Sequence, residues 1–341
     1  MAQLIDISKN ENIDIAIQTI KDGGLVVFPT ETVYGIGANA LDSKAVDKVF
    51  QAKGRPNDNP LIVHISNMNM LDNLIKGIND IERTLIEHFW PGPLTIVFEK
   101  KDIIPNNVSG NLNTVGIRMP DNMVTLEIID KAGLPIVGPS ANISGRPSGT
   151  SIKDIYEELN DKVDVIVDNG NTEIGIESTV IKVEKNKVII LRPGIITPDN
   201  IQELGIEVEL SEHIFNIPNA KEKILSPGMK YKHYAPATES ILIYSNDNNK
   251  TIATINKLLT NHKNVVLLLS NQNIERFSSV TTMDLGRDGY EIARNIFSLL
   301  RKADELKPDL IIIEGVKKDG IGIAIMNRLI RACSHNYIEI E

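Results

Sequence analysis

The stretch 29-PTETVYGIG-37, together with 53-KGRP-56, 60-PLIVH-64 and 138-GPSANISGRPSGT-150, decides how this chain is read. Each part adjoins or contains a short apolar run: 25-LVVF-28, 61-LIVHI-65 and 135-PIVG-138. Runs of that length and β-branched content, punctuated by Gly and Pro, predict buried strands. Polar residues next to a buried strand sit at a rigid sheet edge, from which side chains can reach a ligand. Here they are hydroxyls, an amide, glycines and fixed cations, a set suited to a small anionic substrate and above all to a nucleotide.

Working outward, Ser8 and Glu11 have capping-box spacing, and Ile13, Ile17 and Ile20 share one helical face before Gly23 and Gly24. Further helices are predicted over 43–52, 81–89, 122–131 and 152–159, and strands over 94–98, 115–119 and 163–167. A hairpin joins 178-STVIKV-183 to 188-VIILR-192 across a polar turn. These elements make one mixed α/β domain over 1–209, with a strand order that pattern alone leaves unassigned. Residues 210–238 contain 226-SPGMKYKHYAP-236, where Pro and Gly rule out a long regular element, so this segment reads as a linker. Its rings at Tyr231, His233 and Tyr234 suggest that it folds back over a pocket. Over 239–341, 241-ILIY-244, 265-VVLLL-269 and 310-LIIIEG-315 alternate with amphipathic stretches, which predicts a smaller α/β domain.

The chain has 341 residues and a formal charge of -9. That balance argues against a broad surface for tracking a phosphate backbone. It gives weight to local cations at Lys53, Arg55, Arg118, Arg146 and Arg192. Cys333 is the sole cysteine, which excludes an intrachain disulfide and a CxxC redox pair. The six histidines do not show zinc-site spacing with it. There is no P-loop, kinase catalytic loop, G-x-S-x-G elbow or HExxH. Neither a signal-peptide core nor a membrane-length apolar window is present, so a cytoplasmic location without membrane association is expected.

Lys53 supplies a movable point charge and Arg55 a planar donor fork, separated by Gly54. Ser140 and Asn142 add a hydroxyl and an amide able to hold phosphate or a metal-bound water. Ser148 and Thr150 suit either phosphate contact or capping of the next helix. His64 suits a pocket or a structural role, and the residues leave both open.

The motifs PTETVYGIG, KGRP with PLIVH, GIRMP, GPSANISG, ESTV and LRPG, with SPGMKYKHYAP beyond them, closely resemble the L-threonylcarbamoyladenylate synthase family in its long form. The resemblance implies a YrdC-like mixed twisted sheet with helices, followed by a smaller Rossmann-like α/β domain. It implies conversion of L-threonine, bicarbonate and ATP into L-threonylcarbamoyl-AMP, pyrophosphate and water, the intermediate of the t6A modification of tRNA. Lys53, Arg55, Ser140 and Asn142 would form the catalytic polar set around the nucleotide, joined by Ser148, Ser178 and Arg192. Thr30, Thr32, Tyr34, His64 and Arg118 would line the threonine side, and Tyr231, His233 and Tyr234 would cover the cavity. Mg²⁺ would accompany ATP or pyrophosphate, with no dedicated protein ligands assigned. The product would pass to the tRNA threonylcarbamoyl transfer machinery, any tRNA association of this chain being weak or indirect. A nucleotide- or RNA-binding regulatory module and a carbamoyl transfer enzyme with another acceptor are the alternatives.

Overall fold

The structure, a computed structural model, describes residues 1–9, 11–216, 226 and 233–340. The chain divides into two compact units. The first is Met1–Ser144, Ser148–Glu173 and Glu177–Lys230; the second is Gly145–Pro147, Ile174–Ile176 and Tyr231–Glu341.

In the first unit the strands are β1 (Gln3–Asp6), β2 (Val26–Phe28), β3 (Gly35–Asn39), β4 (Ile62–His64), β5 (Leu94–Glu99), β6 (Thr114–Arg118), β7 (Ile136–Val137), β8 (Val165–Asp168), β9 (Thr179–Glu184), β10 (Lys187–Arg192) and β11 (Val208–Leu210). They form one mixed sheet in the order β1-β8-β2-β3-β7-β4-β6-β5-β9-β10-β11. Its helices are α1 (Asp14–Lys21), α2 (Ser43–Lys53), α3 (Met68–Leu74), α4 (Asp80–Phe89), α5 (Asn106–Ser109), α6 (Met123–Ala132), α7 (Ile152–Leu159) and α8 (Pro198–Gln202). Ile13, Ile17 and Ile20 of the first helical stretch pack with Ile128 and Ile129 of α6 on Val26, Phe28 and Val165. This apolar layer fixes the central strands whose ends carry the polar motifs.

The second unit holds a five-stranded, all-parallel sheet of β12 (Ser240–Ser245), β13 (Val265–Ser270), β14 (Thr281–Gly286), β15 (Leu310–Glu314) and β16 (Tyr337–Ile340), in the order β14-β13-β15-β12-β16. Its helices are α9 (Asn248–Leu259), α10 (Gly289–Glu305) and α11 (Gly322–Ala332). Ile241, Ile243, Val265, Leu267 and Ile312 join one apolar cluster, and the alternating Leu242, Leu268, Ile311 and Ile313 are buried as well. Burial of both sets means that both sheet faces are covered, which explains why these strands are uniformly apolar. The expected pairing of a mixed-sheet domain with a smaller parallel α/β domain is therefore what the chain forms. No helix among the described residues is long and apolar enough to cross a membrane.

Several local expectations need correction. Ser8 and Glu11 do not make a capping box: Ser8 binds Asp6, Glu11 accepts from the Asp6 amide, and α1 starts only at Asp14. The segment after Tyr34, for which the sequence pattern predicted no element, is the strand β3, antiparallel to β2. Glycine weakens strand propensity, but Gly35 and Gly37 are required here because the Phe28 ring lies across them; a Cβ at Gly35 would come within 2.6 Å of it. Ser151, rather than Ser148 or Thr150, caps α7 through the Asp154 amide.

Candidate active site

Helix α2 starts at Asp42, whose side chain accepts from the Lys44 amide, and ends at Gly54 in the left-handed conformation with φ 59°. That turn places Lys53 at the last helical position and releases Arg55 into the following loop. Lys53 is almost fully buried, 1% exposed. Its ammonium donates to the carbonyls of Ser140 and Asn142, the latter at 2.6 Å. The Ser140 hydroxyl donates to the Asn142 side-chain oxygen at 2.6 Å, and the Ser144 amide to the Lys53 carbonyl at 2.9 Å. Three of the four residues expected to form the nucleotide set are thus in direct contact. Arg55 lies two residues on and donates to the Pro60 carbonyl at 3.0 Å. The geometry gives Lys53 a task beyond the expected phosphate contact: it pins the 140–142 loop.

That loop is also tied to the first motif. Gly35 and Ser140 form an antiparallel bridge, the Ala141 amide donates to the Tyr34 carbonyl at 2.7 Å, and the Ile36 amide to the Pro139 carbonyl at 2.9 Å. Tyr34 is buried; its hydroxyl donates to the Gly170 carbonyl at 2.6 Å and accepts from the Asn169 amide at 3.0 Å. Burial pushes its phenol far above the ordinary value, so it stays protonated. Thr30 accepts from the amides of Thr32 and Val33 and shares a hydroxyl contact of 2.8 Å with Thr32, which makes the 30–33 turn rigid.

Parallel pairing of β4 with β6 sets His64 opposite Arg118. Arg118, 4% exposed, donates from Nε to the Gly92 carbonyl at 3.1 Å and from Nη1 to Thr32 Oγ1 at 2.9 Å. Its Nη2 stands 2.5 Å from the Glu31 carboxylate, itself buried. The His64 ring meets Phe28 edge-on at 5.5 Å, and its Nδ1 has no hydrogen-bond partner. Burial first, and the Arg118 charge second, hold His64 well below its usual pKa, so the ring is neutral. Gly138 is obligatory beside it, since a Cβ would sit 2.5 Å from the imidazole.

A third group is built from the hairpin of β9 and β10. Arg192 donates to the Ser178 carbonyl at 3.0 Å and its hydroxyl at 3.1 Å; that hydroxyl contacts Thr95 Oγ1 at 2.8 Å. Ser148 donates to Glu177 at 2.6 Å, and the Tyr34 amide reaches the Gly149 carbonyl at 3.3 Å. Sequence reasoning passed over Glu31, Thr95 and Glu177. The signal for Glu31 was present, an acid between two threonines in an otherwise uncharged motif. His233 and Tyr234 belong to the second unit, where Tyr234 stacks on Phe297 at 5.1 Å with the Arg328 guanidinium 5.6 Å from its ring. Tyr231 lies outside the described residues. No group of three or more His, Cys, Asp or Glu suited to a metal occurs among the described residues.

An α/β unit whose strand ends gather buried cations, hydroxyls and an amide has the chemistry of a small-anion or nucleotide enzyme. A family profile described as "Telomere recombination" matches residues 18–194, and one described as "Threonylcarbamoyl-AMP synthase, C-terminal domain" matches residues 196–334. The threonylcarbamoyl-AMP synthase of Pyrococcus abyssi is 40% identical over 330 residues, covering 96% of each chain. That of Bacillus subtilis is 38% identical, covering 98% of this chain and 96% of its own. The crystal structure of P. abyssi Sua5 complexed with L-threonine superposes with a TM-score of 0.91 at 38% identity, covering both chains in full. The chain belongs to the threonylcarbamoyl-AMP synthase family, in the form that carries both domains.

Proposed function

We propose that this chain condenses L-threonine, bicarbonate and ATP into L-threonylcarbamoyl-AMP, releasing pyrophosphate and water. The observation that carries the reading is the match to threonylcarbamoyl-AMP synthases along nearly the whole chain. The amine of threonine combines with bicarbonate to give an N-carboxylate and water. A carboxylate oxygen then attacks the α-phosphorus of ATP and pyrophosphate leaves. Because the carboxylate is already a nucleophile, positioning and charge stabilisation supply most of the catalysis.

Arg118, buried beside Thr32 and His64, is suited to hold the α-carboxylate of threonine, with Thr30 bonded to Thr32; Tyr34 would line the same side. Neutral His64 contributes a polar ring without adding charge, which fits binding better than proton shuttling near neutral pH. Arg55 faces the phosphates, and Lys53 acts there both by its charge and by holding Ser140 and Asn142 in place. Ser148, Ser178 and Arg192 bind the rest of the nucleotide. Mg²⁺, where it accompanies ATP, would add charge neutralisation to that given by Lys53 and Arg55. The product serves a separate tRNA-modifying transfer machinery, in keeping with the acidic charge of this chain.

Purified protein given ATP, Mg²⁺, L-threonine and bicarbonate is expected to release pyrophosphate only when all substrates are present. Tight RNA binding without substrate-dependent pyrophosphate release would favour a regulatory RNA-binding module instead.

A further inference from the structure

Glu31 is 7% exposed, yet neither of its carboxylate oxygens has a hydrogen-bond partner. Its one strong interaction is the 2.5 Å ion contact with Arg118 Nη2, an atom likewise without an aligned hydrogen bond. Arg118 cannot easily turn to improve the contact, because Gly92 and Thr32 hold its Nε and Nη1. Glu31 is equally constrained, flanked by the threonines of the rigid 30–33 turn. Buried charges left short of hydrogen bonds are costly, and a ligand that completes both groups recovers that cost. Together the pair carries no net charge. A bound carboxylate alone would leave the pocket negative, whereas a ligand with one carboxylate and one ammonium keeps it neutral.

We propose that Glu31 is a positioning and specificity residue: it balances Arg118 before substrate arrives and then accepts an N–H from the substrate nitrogen once the α-carboxylate engages Arg118. This rests on the reading of Arg118 as the carboxylate holder, and it makes the site selective for zwitterionic amino acids over hydroxy acids of the same skeleton. The role belongs to binding; no atom of Glu31 enters the reaction.

The test is calorimetric binding to the full chain of L-threonine and of β-hydroxybutyrate, which is threonine without its nitrogen. Loss of one partner from a buried charge pair corresponds to about 30-fold or more in affinity. The wild type should therefore prefer L-threonine by about that factor. Glu31→Gln should lose it for L-threonine while binding β-hydroxybutyrate as well as before or better. Equal weakening of both ligands would reveal a purely structural role and overturn the proposal, as would an unchanged ratio. Should Glu31→Gln fail to fold, Glu31→Asp keeps the charge but retracts it. The same partial loss confined to L-threonine is then expected, and equal loss on both ligands overturns the proposal. No L-threonine binding to the wild type would remove the synthase reading and this one together, whereas an unchanged ratio removes this one alone.

Discussion

Replacing Lys53 by Met separates two roles that the sequence alone merged. The Met side chain approximates the length of the lysine stem, so packing around a residue only 1% exposed is largely kept. What disappears is the ammonium that donates to the carbonyls of Ser140 and Asn142. Hydrogen bonds from a charged donor are worth about 1.5–3 kcal/mol each, so losing both should cost the first unit about 3–6 kcal/mol of stability. Arg55→Met is the control. Arg55 is half-buried, so solvent screens its bonds to the carbonyls of Asn59 and Pro60, of which the Asn59 contacts are long at 3.4 Å; its removal should cost about 1–2 kcal/mol while still impairing nucleotide binding. Urea denaturation followed by fluorescence reads the difference directly, because Trp90 is the sole tryptophan and lies in the first unit. A Lys53→Met midpoint equal to that of Arg55→Met, with both losing activity, would refute the loop-pinning role and leave Lys53 as a phosphate contact alone.

Gly138→Ala would drive a methyl group to 2.5 Å from the His64 ring and 2.7 Å from Phe28. Overpacking of that kind costs about 1–3 kcal/mol, and because His64 must move, L-threonine affinity should fall along with the melting temperature. His64 itself predicts a pH effect. Its folded pKa lies well below the ordinary 6.5, so above that pH both states are neutral, and below it the unfolded chain takes up a proton that the folded chain refuses. Stability from this group is therefore complete above about pH 6.5 and falls with acidification by up to about 1.4 kcal/mol per pH unit. Stability measured against pH for the wild type and His64→Gln should show a shallower acid limb in the variant; parallel curves would mean that His64 takes its proton while folded.

Sequence pattern located most of the strands because their signal is local: 25-LVVF-28, 94-LTIVF-98 and 265-VVLLL-269 are β-branched or leucine-rich runs buried on both faces. β3 escaped because its glycines answer to the Phe28 ring rather than to strand propensity. β14 and β16 escaped because they are partly exposed edge strands with mixed polarity. Strand order was out of reach, since the neighbours β1 and β8 are joined by contacts between distant parts of the chain. At the site, residue types were legible but their directions were not. Lys53 and Ser140 could be grouped from composition, yet only the fold turns the ammonium onto backbone carbonyls. The pairing of Glu31 with Arg118 depends on how the 30–33 turn meets the end of β6, which no local pattern encodes.

On this reading the buried polar set joins threonine, a one-carbon acid and AMP. Mass spectrometry of the product formed from isotopically labelled bicarbonate, ATP and L-threonine, with L-serine in a parallel reaction, tests it most directly. A threonylcarbamoyl-adenylate carrying the label in its carbamoyl carbon is expected, with pyrophosphate in equal amount and far less product from serine. Folded protein that yields no labelled adenylate, or that releases pyrophosphate without threonine, would contradict it.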